Sequence, residues 1–289
     1  MPKLISKLPP APTLDESHLR ELQFVSEKHG RLEALIPVAA PYVCSNPDAP
    51  ALLLIPGLGM DGLGFLRQLP LGALAHLHLF QTPNHTPANE AGIDAFAHHV
   101  ENYIIESKLD KHPGGVILGG CSMGGAVSLA TAIRSRIKLR GLVLIGTFGA
   151  SRHLPFWQRW GSPLAWAAPH GLLRRVAYHA VGKTRIFGQV KQSEAHWLVS
   201  SKIQRTQSYY GHAVGALTHM DQIAKARQLN VPALVLHGTH DYVLPYAAGV
   251  ELAQVVPNAR LVTLQDAGHA LFFTHHEEVN SAIAEFIRA

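Results

Sequence analysis

A short apolar stretch, Gly115-Val116-Ile117-Leu118, enters the run Gly119-Gly120-Cys121-Ser122-Met123-Gly124-Gly125, which opens an Ala-rich apolar stretch from Ala126 to Ile133. The order strand, G-x-S-x-G turn, helix constrains this chain more than any other feature. Glycines at 120 and 124 let two backbones pass close together while the residue between them stands strained and exposed at the strand end. Ser122 is then a candidate nucleophile, with the positive N-terminal end of the following helix at the reacting oxygen. From Val116 to Ile133 the chain is also about long enough to span a membrane. Its glycines and its turn make a buried strand plus helix the better reading. A Gly-rich turn of this kind occurs in many chains, so its meaning depends on what lies downstream.

Two further segments end in chemically suitable residues. Ala233 to Leu236 is a continuous apolar run, as in a strand buried on both faces, and Asp241 lies in the loop beyond it. Arg260 to Leu264 is strand-like, and His269 lies in the loop that follows. Three candidate groups thus fall past the carboxyl ends of three strands, the edge where open parallel sheets bind ligands. The types fit acyl transfer: an imidazole takes the serine proton and returns it to the leaving group, while a carboxylate fixes the imidazole tautomer. His237 and His240 flank Asp241, but the Gly268-His269 context makes His269 the better base; Asp266 reads as a turn residue. Upstream, strand-like Ala51 to Ile55 runs into Pro56-Gly57-Leu58-Gly59-Met60-Asp61-Gly62. The N–H groups of Leu58 and Met123 are the candidate oxyanion donors.

Taken in order, Pro56-Gly57-Leu58-Gly59, Gly120-Cys121-Ser122-Met123-Gly124, His237-Gly238-Thr239-His240-Asp241 and Gly268-His269 resemble the motifs of the α/β-hydrolase superfamily. The resemblance covers roughly residues 50–150 and 229–289. It implies a mostly parallel, doubly wound α/β sheet with an inserted helical cap, a Ser122, Asp241, His269 catalytic set, and no cofactor. Pro56 replaces a histidine frequent in the family, which leaves the Leu58 donor intact. Haloalkane dehalogenases and epoxide hydrolases carry aspartate where this chain has Ser122. The chain is also similar to the biotin-pathway esterases that demethylate a pimeloyl-carrier-protein methyl ester, which implies an acidic acyl carrier protein as partner. On the same scaffold a lipase, an aminopeptidase, a perhydrolase, a C–C bond hydrolase, a non-enzymatic ligand receptor and a pseudoenzyme all stay open.

Length and pattern suggest an N-terminal arm over 1–20, a first core part over 21–150, a cap over 151–228 and a second core part over 229–289. Within the first core part, 21–44 read as a strand pair, Gly62 to Leu69 as a short helix, His76 to Phe80 as a strand, Ile93 to Leu109 as a helix and Leu139 to Ile145 as a strand. Alternation of this kind argues a parallel sheet covered on both faces. The segment 151–228 holds all four tryptophans and eleven Lys/Arg against two acids, Glu194 and Asp221, a balance of +9 inside a chain of +5. A basic lid on an acidic body suits an anionic partner, with Arg152, Arg159, Arg174, Arg175 and Arg185 as candidate contacts; a solvated helical face explains the charge equally well. Phe148, Phe156, Trp157 and Phe187, with Leu58, are the candidate acyl-pocket residues, and His85 a candidate substrate contact. The 19 histidines lack an H-E-x-x-H helix or a cysteine companion, so no metal is expected. Two cysteines, Cys44 and Cys121, make a disulfide framework improbable. No secretion signal is read at the N-terminus, and a cytoplasmic, small-ester enzyme that binds no nucleic acid is expected.

Overall fold

The computed structural model describes residues 8–11, 44–83, 91–134, 137–154 and 207–289. The N-terminal arm apart from residues 8–11, the strand pair expected over 21–44 (all but Cys44), His85, and most of the cap segment, including Phe156, Trp157, Phe187, Arg159, Arg174, Arg175 and Arg185, lie outside the described residues.

Six strands alternate with helices: β1 (Ala51–Ile55), β2 (His76–Leu79), α1 (Gly92–Glu106), β3 (Val116–Cys121), α2 (Met123–Arg134), β4 (Leu139–Ile145), α3 (Gln207–Thr218), α4 (Ile223–Ala226), β5 (Ala233–Gly238), α5 (Tyr246–Val255), β6 (Ala259–Leu264), α6 (Leu271–Thr274) and α7 (His276–Arg288). The described sheet runs β2-β1-β3-β4-β5-β6, every pair parallel. Parallel strands of a doubly wound sheet are buried on both faces, which is why β1, β3 and β5 read as unbroken apolar runs. The pleat then divides each strand between two cores. Ala51, Leu53, Ile55, Val116, Leu118, Ala233 and Val235 join the core under α1, α2, α3 and α5. Leu52, Leu54, Ile117, Leu234 and Leu236 join the core under α6 and α7.

Two expected helices differ from the observed elements. Gly62–Ala73 is a run of 3-10 turns with non-helical torsions at Phe65, not a single α-helix. Pro70 lies inside it and removes a backbone donor, and glycines at 62 and 64 weaken helical preference. The helix expected to reach Leu109 stops at Glu106, and Lys108 turns left-handed at φ 57° before a short 3-10 turn at Leu109–Lys111.

Of the segment 151–228, residues 207–228 pack with the sheet. Tyr209, Ala213, Ala216, Leu217, Met220, Ile223 and Ala226 are buried in the same cluster as the strands, and Tyr209 meets Phe96 of α1 edge-on at 6.1 Å.

Candidate active site

The strand order reverses between β1, whose chain proceeds to β2 on one side, and β3 on the other. At this switch point the ends of neighbouring strands diverge and leave a crevice at their carboxyl edge. Ile55 pairs with Gly120 there, so the loop after β1 and the turn after β3 face each other.

Ser122 occupies that turn at φ 52°, a left-handed conformation that costs a non-glycine residue about 1–2 kcal/mol. The surrounding backbone holds it. Ser122 N–H donates to Ile145 O at 2.9 Å. Its carbonyl accepts from Thr147 Oγ1 at 2.6 Å and from the N–H groups of Gly125 and Ala126. With the main chain pinned on both sides, the half-buried side chain is presented at the sheet edge. Close approach makes this possible. A Cβ at Gly124 would stand 2.0 Å from Ile55 O and 2.6 Å from Pro56 O, so helix α2 meets the end of β1 only through a glycine.

Asp241 follows β5 by three residues and His269 follows β6 by five. Parallel pairing of these strands, with His237 opposite Thr263 and Gly238 opposite Leu264, brings the two loops together. His269 Nδ1 lies 2.8 Å from Asp241 Oδ2, and both residues are buried. Nδ1 is therefore the donor, and Nε2 is left as the basic nitrogen. Asp241 Oδ1 accepts from Val243 N–H at 2.9 Å and Leu244 N–H at 2.8 Å. Burial pushes the Asp241 carboxyl up, but the His269 charge and the hydrogen bonds from His237, His269 and Leu244 outweigh it and hold the group well below the usual carboxylate range.

The end of β4 links this pair to Ser122. Gly146 follows Ile145, the acceptor of the Ser122 N–H, and a Cβ on Gly146 would lie 3.6 Å from Asp241 Oδ2 and 3.5 Å from His269 O. The loops bearing serine, imidazole and carboxylate thus converge around one strand end.

Leu58 sits in a turn closed by Met60 N–H to Gly57 O at 3.1 Å, and a Cβ on Gly57 would be 3.4 Å from Ser122 Cβ. Met123 opens α2, and a first-turn N–H has no acceptor inside its own helix. Both candidate donors therefore lie beside Ser122. Leu58 is one of the few exposed large apolar side chains among the described residues.

Other residues singled out from the sequence have these surroundings. Phe148 is 1 % exposed and packs into the core. Arg152 pairs with Glu251 and with Asp221, and His153 Nε2 meets the same Glu251 at 2.8 Å. These contacts tie the start of the 151–228 segment to α5. His240 is exposed, pairs with Asp266 at 3.2 Å and stacks on Tyr242. Cys121 is free and buried beneath the turn; burial drives its thiol up to about 12, against hydrogen bonding that includes Gly57, so it is no competing nucleophile.

Three contributors were not singled out from sequence. Thr147 braces the Ser122 carbonyl, and its place just past β4 was the available signal. Tyr210 of α3 stands over the Leu58 turn, its hydroxyl 2.9 Å from where a Gly59 Cβ would be; nothing local in the sequence marks that contact. His237 was weighed only as a base. Its ring is fully buried behind Asp241, with Nε2 3.4 Å from Oδ2 and 3.1 Å from Leu244 O. Among the described residues, no group of three or more His, Cys, Asp or Glu could hold a metal ion, and no helix is long and apolar enough to cross a membrane.

Comparison with known proteins adds to this geometry. Residues 52–282 match the alpha/beta hydrolase family. Polyketide synthase ThaQ of Burkholderia thailandensis is 30% identical over 251 residues, which are 82% of this chain but only 12% of the synthase. A pimeloyl-[acyl-carrier protein] methyl ester esterase of Aromatoleum aromaticum is 27% identical over 83% of this chain and 99% of its own length. A thermophilic esterase from Thermogutta terrifontis superposes with a TM-score of 0.69 at 20% identity, covering 85% of this chain and 91% of that one. At that identity the likeness speaks for the fold.

Proposed function

The chain belongs to the alpha/beta hydrolase family, and from that premise we propose that it is a serine hydrolase that cleaves a carboxylic ester or thioester through an acyl-enzyme. The observation that carries the reading is the buried 2.8 Å bond between His269 Nδ1 and Asp241 Oδ2, on the sheet edge where Ser122 is held left-handed. His269 Nε2 takes the Ser122 hydroxyl proton as Oγ bonds to the acyl carbon. The carbonyl π-electrons move to oxygen, where the N–H groups of Leu58 and Met123 stabilise the charge. One such donor is worth about 3–4 kcal/mol in comparable sites. The intermediate collapses, the bond from carbon to the leaving oxygen or sulfur breaks, and the imidazolium returns its proton to that atom. Water then attacks the acyl-enzyme with His269 again as base, releasing the acid and free Ser122.

A fluorophosphonate should label Ser122, and Ser122→Ala should lose both labelling and p-nitrophenyl ester turnover. Unchanged turnover in that variant overturns the assignment. Ligand binding without turnover by the wild type would favour a receptor instead.

The substrate class favoured within this reading is an acyl ester linked to an acidic carrier protein, as in biotin synthesis. Two observations support it: the A. aromaticum relative is named for such a substrate, and 151–228 carries a strong basic excess. Arg152 is already paired with Glu251 and Asp221, so Arg159, Arg174, Arg175 and Arg185 are the contacts proposed. Reversing the charge of Arg174 and Arg175 should lower kcat/KM for the carrier-linked ester and leave that for a free short ester unchanged. Added salt should act in the same direction. Equal effects on both substrates, or none, would remove the carrier from the proposal.

A further inference from the structure

The Asp241 carboxylate has one polar neighbour more than a serine–histidine–carboxylate relay requires. Oδ1 accepts the N–H groups of Val243 and Leu244, and Oδ2 accepts His269 Nδ1. The fourth neighbour is His237 Nε2, 3.4 Å from Oδ2 and 3.1 Å from Leu244 O. Both of its neighbours are acceptors, so Nε2 carries the proton; it donates to the Leu244 carbonyl and stands in a longer polar contact with Oδ2. His237 Nδ1 has no hydrogen-bond partner among the described residues, which also places the proton on Nε2, because a buried N–H without an acceptor costs about 1–3 kcal/mol.

The ring is held from several sides. Its backbone pairs across to Thr263 in β6. Tyr246 of α5 meets it edge-on at 6.1 Å, and the Tyr246 hydroxyl is itself bonded to Thr263 Oγ1 at 2.6 Å. Gly249, one turn further along α5, lies so close that a Cβ there would stand 2.6 Å from Nδ1 and 2.8 Å from the His237 Cβ. A glycine inside a helix costs about 1 kcal/mol relative to alanine; here the glycine makes room for the ring. The ionisable groups facing His237 are Asp241 on its own loop and Tyr246 on α5, with His269 reached through Asp241.

We propose that His237 is a positioning residue for the reaction inferred above. Its Nε2–H donates to the Leu244 carbonyl and so closes the turn from Asp241 to Leu244, and its 3.4 Å contact with Oδ2 restrains the carboxylate from rotating about the axis set by its two backbone donors. His269 then meets an oxygen already fixed in place. Without this fourth neighbour and the turn it closes, Oδ2 and the His269 ring can pivot together, and Nε2 of His269 loses its aim at Ser122. The proposal rests on the serine-hydrolase reading for its kinetic consequence but not for its geometry.

The test uses the full-length protein with three substitutions. His237→Gln keeps a donor near the Nε2 position, His237→Asn places one near Nδ1, and Gly249→Ala pushes on the ring without removing its donor. Two readouts are taken: kcat and KM per fluorophosphonate-titrated site across pH, and the downfield proton resonance of His269 Nδ1–H. We expect His237→Asn and Gly249→Ala to shift or broaden that resonance, displace the acid limb of the pH profile and lower kcat by about 10- to 100-fold at little-changed KM, the scale on which a small misplacement is felt. His237→Gln should restore most of both signals. A resonance, acid limb and kcat per titrated site that match wild type in His237→Asn and Gly249→Ala overturn the proposal, whatever the loss of thermal stability. If His237→Asn does not fold, Gly249→Ala and His237→Gln decide it on the same readouts. Wild type that neither labels nor turns over refutes the proposed function instead, and the His269 resonance still decides the role of His237.

Discussion

Replacing Asp241 with Asn changes one atom, and the structure fixes the consequence. The Asn oxygen takes the Oδ1 position, where the Val243 and Leu244 N–H groups at 2.9 and 2.8 Å hold it. The amide nitrogen then occupies the Oδ2 position and presents protons to His269 Nδ1 at 2.8 Å and to the proton-bearing His237 Nε2 at 3.4 Å. His269 answers by moving its proton to Nε2, the nitrogen that accepts from Ser122 in the proposed reaction. In a serine-protease relay the same exchange of tautomer lowers kcat about 10⁴-fold; at 1.36 kcal/mol per decade this is about 5 kcal/mol of transition-state stabilisation. Stability falls as well, by about 1.5–3 kcal/mol for a lost charged hydrogen bond. The pH dependence has a definite sign. The Asp241 carboxyl is held below its ordinary value of 3.8 in the folded state, so its contribution is fully present above that value and is lost as pH falls toward the folded one. The Tm difference between wild type and Asp241→Asn should therefore be largest at neutral pH and shrink as pH drops below about 4. Ester turnover per titrated site and a pH series of thermal melts measure both effects. A kcat within tenfold of wild type would refute the tautomer argument, and a pH-independent Tm difference would refute the assigned charge state.

Gly124→Ala places a methyl 2.0 Å from Ile55 O, where ordinary contact begins near 3.4 Å. The clash is between backbones, so α2 or the Leu58 turn must shift. A stability loss of about 1–3 kcal/mol is expected in denaturant titrations, with a drop in kcat of about 100-fold; wild-type kcat would show that the turn tolerates the shift. The two free cysteines should separate by reactivity at pH 8: half-buried Cys44 reacts with an aromatic disulfide in the native protein, whereas Cys121, buried and held near 12, reacts only after denaturation. Two fast thiols in the folded state would contradict the burial of Cys121.

The sheet was legible because its cause is local. Runs such as Leu52-Leu53-Leu54 and Leu234-Val235-Leu236 have no polar face, and only a strand covered on both sides can accept them. The turn around Ser122 was legible for a similar reason, since its glycines sit where backbones touch. Helix limits were less clear. A left-handed Lys108 and 3-10 turns around Pro70 depend on packing that periodicity does not encode. Phe148 is buried at 1 % exposure just past β4, a degree of burial that its neighbours along the chain do not encode. Arg152 was legible only as a charge, and its acids, Glu251 and Asp221, come from 99 and 69 residues away.

Apolar patterning and glycine placement act over a few neighbouring residues, so the order of the six described strands, their burial and the three strand ends that carry serine, carboxylate and imidazole could be read along the chain. The sequence favoured His269 as the base, but what each of the three nearby histidines does around Asp241 was settled by packing in space. His269 comes within 2.8 Å from another strand, His237 backs the same carboxylate from within the core, and His240 turns outward to Asp266. That choice rests on ångström-scale distances between loops joined through β5–β6 pairing, and a hydrogen bond is selected by distance and direction in space, not by separation along the chain.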